Sequence, residues 1–137
     1  MKHFQPRELV DRKTYEKMGD GCLTLFDTNL LIALDDLREY FDRPITVNTW
    51  HYGGLFEWRG YRTPEKARQL GAPKSLHARG MAIDCDIEGY SAEQARRKIL
   101  QNQDHELLSR IMRLEGKVSW LHFDLLPVPD RIHVFKV

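Results

Sequence analysis

Cysteine is nearly absent from this chain: among 137 residues only Cys22 and Cys85 occur. One pair is too few for a disulfide framework, so a packed core has to hold the fold. Long apolar runs are missing as well. Nothing approaches the roughly 20 residues of a membrane span, and the opening residues, Met1 to Glu8, lack the apolar centre of a secretory signal. The expectation is a chain made and folded in a bacterial cytoplasm, with no membrane partner. Charge of one sign is also lacking. The 21 Lys and Arg residues nearly balance the 20 Asp and Glu residues, which excludes a general affinity for nucleic acid. Without repeats, low-complexity stretches or linkers, residues 1–137 read as a single domain.

What is present is patterned. Phe4, Leu9 and Tyr15 mark an otherwise polar opening, with a short helix expected near Pro6 to Asp11 and irregular chain after it. Between Asp27 and Phe41 the spacing of Leu30, Leu31, Leu34, Leu37, Tyr40 and Phe41 predicts a scaffold helix capped by Asp27 or Thr28. Pro44 ends it, and the β-branched run Ile45 to Trp50 predicts a strand. His51 to Gly60 reads as an insertion rich in aromatics and glycine: either a flap over a cleft, or a hairpin whose Phe56 and Trp58 cover the core. Ser91 and Gln94 form a capping box for a helix running to about Asn102. A further helix is expected from Asp104 to Leu114, and Ile132 to Val137 reads as a strand at a sheet edge.

The chemistry concentrates in Ser75 to Ile87. Met81, Ile83, Cys85 and Ile87 alternate with Ala82, Asp84 and Asp86, so a strand there has one apolar face and one that carries carboxylates. Cys85 then belongs to the buried face, where a free thiol is ordinary. His77 precedes Asp84 by seven positions, and Gly80 between them can fold the imidazole back over the strand. A second strand-like run, Val118 to Leu126, places Trp120, His122 and Asp124 on one face. Two imidazoles and a carboxylate suit zinc, which in catalytic sites takes three protein ligands and leaves one position open.

The pattern Ser75-x-His77-x-x-Gly80-x-Ala82-x-Asp84, followed by Trp120-x-His122, resembles that of the zinc D-Ala-D-Ala carboxypeptidases. That family includes the vancomycin-resistance dipeptidases and the L-alanyl-D-glutamate endopeptidases of phage lysins, and it is related to lysostaphin-type enzymes and the hedgehog domain. The resemblance extends upstream through Gly60-Tyr61-Arg62-Thr63-Pro64-Glu65 and the run Gly71 to Ser75, and it keeps its order from Pro44 to Leu125. It implies an α+β fold of the hedgehog/D-Ala-D-Ala-peptidase type, with helices packed on a mainly antiparallel sheet. It also implies one zinc held by His77, Asp84 and His122, with Arg62 on a substrate carboxylate or oxyanion and with Ser75 and Trp120 at the substrate. Arginine's planar fork of donors suits that role, although alone Arg62 could equally be a solvated surface residue.

One position departs from the family pattern. Many members carry an acidic general base three residues before the last histidine, and here that residue is Ser119. A serine hydroxyl cannot take up a proton at neutral pH. Asp124 is the first candidate to replace it, being on the strand face of His122, and its alternative role is to orient an imidazole. Asp86 and Glu115 are the others.

The function implied is a zinc peptidase acting on the peptidoglycan stem peptide, of carboxypeptidase or endopeptidase type. The expected setting is a monomeric phage or prophage protein without a separate cell-wall-binding domain, reaching the wall after holin release or within a virion. The alternative from another class is a zinc-containing cell-wall-binding or virion module without catalysis, which Ser119 keeps open.

Overall fold

The computed structural model describes residues 1–137. Its N-terminal third holds more helix than the polar sequence predicts. Pro6–Glu8 makes only a 3-10 turn instead of a helix reaching Asp11. Asp11 itself becomes the cap of α1, Arg12–Met18: its carboxylate is buried and accepts from the Thr14 N–H at 3.1 Å. A second 3-10 segment, Gly19–Leu25, follows and buries Cys22.

The scaffold helix α2 spans Thr28–Phe41 with Asp27 as N-cap, and it buries Leu30, Ala33, Leu34, Leu37 and Phe41 at helical spacing. It stops at Asp42, which is left-handed at φ 52°, two residues before Pro44. A short α3, Pro64–Gln69, is capped by Thr63. The capping box of Ser91 and Gln94 forms as expected and starts α4, Ala92–Gln101.

Five strands make one sheet: β1 Ile45–Thr46, β2 Ala82–Ile87, β3 Arg113–Glu115, β4 Leu121–Asp124 and β5 His133–Phe135. Their order is β1-β2-β4-β3-β5, antiparallel except for the parallel pair β3 and β5. The fold is therefore α+β, with helices packed on a mainly antiparallel sheet. Ile83, Cys85, Leu121 and Phe123 point to the helices and join α2 and α4 in a core cluster of 23 residues. The opposite face of the same strands carries Asp84, His122 and Asp124, as period-two alternation requires.

Two predicted elements fail for identifiable reasons. The strand expected from Ile45 to Trp50 pairs with β2 only through Ile45 and Thr46. Beyond them the chain bonds to the N-terminal segment: the Asn48 N–H donates to the Glu8 carbonyl, and the Asn48 amide and Trp50 indole donate to that of Val10. The helix expected from Asp104 to Leu114 is instead a 3-10 turn, Glu106–Leu108, followed by β3. Of the apolar residues expected to face the core, Leu108 and Ile111 are buried and Leu107 and Met112 half-buried, but the backbone of this stretch is claimed from outside. The Arg131 guanidinium donates to the carbonyls of Gln103, Leu108 and Ile111, and the Met112 N–H goes to Asp124. Those partners replace the helical ladder.

Candidate metal centre and its cleft

Antiparallel register brings the first two functional groups together, because Asp84 on β2 lies directly opposite His122 on β4. The third comes from the 3-10 turn Leu76–Arg79, which carries His77 and ends at Gly80 with φ 66°. Only glycine suits that end. Its conformation is left-handed, and a Cβ there would overlap the Leu25 carbonyl oxygen.

Ligand-type atoms of His77, Asp84 and His122 lie within 4.8 Å of one another, and all three residues are buried. The two oxygens of Asp84 divide the work: Oδ1 is 2.8 Å from His122 Nδ1, and Oδ2 is 3.3 Å from His77 Nε2. Tetrahedral zinc with ligand bonds near 2.0 Å separates its donor atoms by about 3.3 Å, so the spacing fits that ion. The remaining imidazole nitrogens are spoken for. His77 Nδ1 donates to the Gly60 carbonyl at 2.9 Å, and His122 Nε2 donates to Asp124 at 2.9 Å. Both rings are thereby turned with one nitrogen toward Asp84, the outer hydrogen bonding that metal-ligating histidines almost always show. Two nitrogens and a carboxylate oxygen, oriented in this way, fit a zinc ion.

Charge is balanced tightly at this point. Burial alone would lift the Asp84 carboxyl, but hydrogen bonds from His122 and His77, and their charge, hold it far below the usual carboxylate range. Burial would likewise depress His122, and the carboxylates of Asp124 and Asp84 overcome it and raise it to about 9. Without a metal, the cations that these carboxylates hold are the His122 imidazolium and Arg62.

These groups line one end of a cleft of about 390 Å³ that also holds Arg62, Ser75, Glu115 and Trp120. Arg62 is pinned: its Nε donates to the Trp58 carbonyl at 2.9 Å and Nη2 reaches Asp84 at 3.3 Å. It is no solvated surface arginine, and its remaining donors can take an anionic or carbonyl oxygen. The Ser75 hydroxyl accepts from the His77 N–H at 3.2 Å, so one of its tasks is to shape the turn.

Among the candidate bases, Asp124 lines the cleft but meets the His122 nitrogen that faces away from Asp84. Asp124 is fully buried, it takes two hydrogen bonds from Arg113 at 2.9 and 2.8 Å and one from the Leu126 N–H, and it meets the far nitrogen of His122. Strand alternation put it on the right face but could not show that the imidazole stands between it and Asp84. Asp86 is exposed and pairs with Arg59 at 2.9 Å. Ser119 is exposed and outside the cleft. Glu115 at the end of β3 is different. It lines the cleft as Asp124 does, but its Oε1 is 3.9 Å from His122 Nδ1, on the side of the ligand atoms.

The insertion does not act as a flap over this cleft. Glu57 and Trp58 line a separate polar groove of about 530 Å³, beyond the Arg62–Thr63 turn, and Leu55 at the tip is fully open to solvent. Its end serves the site through the backbone instead, since the Arg59 carbonyl accepts from the Asp84 N–H and the Gly60 carbonyl from His77. Gly60 is there because a Cβ would overlap the Leu9 carbonyl. His51 stands between the Trp50 and Tyr52 rings, away from the ligand group.

No helix is long and apolar enough to cross a membrane. Neither a curated protein nor a solved structure matches the chain significantly. A family model does, and it stops at Asp124, the residue that fixes His122 and ends β4. That model, described as Peptidase M15, covers residues 2–124, which include every residue of the candidate metal centre, and the chain belongs to this family of zinc-dependent peptidases.

Proposed function

We propose that the protein is a zinc peptidase that hydrolyses a peptide bond of the peptidoglycan stem, of D-Ala-D-Ala carboxypeptidase or L-Ala-D-Glu endopeptidase type. The observation that carries this reading is the buried group of His77, Asp84 and His122 at one end of a cleft shared with Arg62 and Glu115. Zinc held by those three residues supplies Lewis acidity for a scissile carbonyl and lowers the pKa of a water to about 7. Arg62 holds the substrate's carboxylate or the oxygen on which charge develops, from a position fixed by Trp58 and Asp84. Glu115 takes the proton of the attacking water and returns it to the leaving amine. Asp124, locked by Arg113, keeps His122 in the tautomer whose Nδ1 faces the ligand group.

Digestion of purified peptidoglycan tests this, with released fragments read by mass spectrometry for the zinc-loaded protein and for His122→Ala. New fragments from the unaltered protein alone are expected, and their termini identify the bond. A protein that binds one zinc and releases nothing from several wall types would be a non-catalytic wall-binding module, with Ser119 marking the lost base.

A further inference from the structure

β5 lies past Asp124, the last residue of the family match, and at the edge of the sheet, yet it reaches the metal centre. It pairs in parallel with β3 in a register that sets His133 opposite Arg113 and Phe135 opposite Glu115. Backbone hydrogen bonds hold that register at both ends. The His133 N–H donates to the Met112 carbonyl at 3.0 Å, and the Gly116 N–H donates to the Phe135 carbonyl at 2.7 Å.

Phe135 is half-buried and has no part in the apolar core cluster. Its contacts are with the centre instead. The phenyl ring meets the His122 imidazole edge to face, with centroids 5.5 Å apart and planes at 84°. The Arg113 guanidinium lies 3.9 Å from the centroid of the same phenyl ring. Arg113 in turn gives Nε and Nη2 to the two oxygens of Asp124, and Asp124 accepts from His122 Nε2 at 2.9 Å. These contacts close a circuit: imidazole to phenyl, phenyl to guanidinium, guanidinium to carboxylate, and carboxylate back to imidazole. The hydrogen bond to Asp124 fixes one nitrogen of His122 but leaves the plane of the imidazole free to rock about it. The phenyl contact removes that freedom.

We infer that Phe135 is a positioning residue for the metal centre: it holds the His122 imidazole, directly and through Arg113 and Asp124, in the plane that turns Nδ1 toward Asp84. This rests on the metal centre of the peptidase reading above. It makes the affinity of that centre for zinc depend on a strand that the family match does not include. Groups that orient a ligating imidazole from outside typically change metal affinity by about 10- to 100-fold, and Phe135 belongs at the lower end because it touches His122 by ring contact alone.

The experiment compares the wild type with Phe135→Leu, which keeps apolar bulk on β5 without an aromatic ring, and Phe135→Tyr, which keeps the ring. Zinc affinity is read by competition with a chromogenic chelator, and the geometry of the centre by the visible absorption of the cobalt(II)-substituted protein. Thermal unfolding of the metal-free protein and digestion of peptidoglycan are followed in parallel. Phe135→Leu should weaken zinc binding about tenfold and shift the cobalt absorption, with metal-free stability unchanged, and Phe135→Tyr should behave as the wild type. If Phe135→Leu does not fold, Phe135→Met is read in the same way. Wild-type zinc affinity and cobalt absorption in the variant without a ring overturn the proposal and leave the peptidase reading standing. So does a loss of affinity matched by an equal loss of metal-free stability, which is packing alone. A centre that Phe135 controls, in a protein that hydrolyses nothing, sinks the peptidase reading and keeps the positioning role. A wild type that binds no zinc overturns both.

Discussion

Glu115 and Asp124 show how much a single position depends on what lies across the sheet from it. Asp124 sits beside His122 in the strand pattern, so sequence spacing favours it as the base; in the fold it is fully buried and spends its oxygens on Arg113, Leu126 and His122. Glu115 has no such spacing to recommend it, and it reaches the site because β3 is the antiparallel neighbour of β4. The two roles separate in measurement. Glu115→Gln should lower kcat by about 10²- to 10⁴-fold and leave zinc content unchanged. Asp124→Asn should weaken zinc affinity by roughly 10- to 100-fold, read by competition with a chromogenic chelator, and restore most activity at saturating zinc. If instead Asp124→Asn abolishes turnover with zinc fully bound, Asp124 is the base after all. The grouping of His77, Asp84 and His122 with Arg62 was legible because their motif is local and distinctive. The approach of Glu115 to His122 was not, because it depends on pairing between β3 and β4, which leaves no local sign.

At the scale of the element, patterning predicted α2 and α4 well, since both carry their own caps and an apolar stripe that needs only the sheet to cover it. It failed where another segment supplies the hydrogen bonds. Residues 104–114 have helical apolar spacing, but the carbonyls of Leu108 and Ile111 are taken by Arg131, 23 and 20 positions away. The expected cost of removing that anchor follows directly. Arg131→Ala leaves the carbonyls of Gln103, Leu108 and Ile111 without their donor, and at about 1–3 kcal/mol for each buried polar group left unpaired, discounted for water entering beside a half-buried side chain, the loss should be roughly 2–4 kcal/mol. Chemical denaturation measures it. A loss under about 0.5 kcal/mol would mean that water replaces the guanidinium and that the segment holds its shape without it.

For the whole molecule, the question is whether the metal centre holds the fold or the fold holds the centre. The core cluster lies on one face of the sheet and the candidate ligands on the other, so the apolar residues that stabilise the chain do not depend on the ion. Cys22 and Cys85 add no covalent link, as both are free and buried. Metal-free protein should therefore stay folded, unlike small zinc modules that unfold on chelation. A zinc ion held by His77, Asp84 and His122 would nonetheless join β2, β4 and the turn before β2, and a ligand that binds only the folded state stabilises it by about 4 kcal/mol at a thousandfold excess over its dissociation constant. For a domain of this size that corresponds to a rise in Tm of roughly 8–16 °C. The comparison is thermal unfolding with and without chelator, together with far-ultraviolet circular dichroism of the chelated protein at 25 °C. Retained secondary structure with a lowered Tm places the centre as a passenger on a self-sufficient core. Loss of structure on chelation would show that Arg62, Arg113 and the imidazoles do not by themselves compensate the buried Asp84 and Asp124, and the ion would then be part of folding as well as of catalysis.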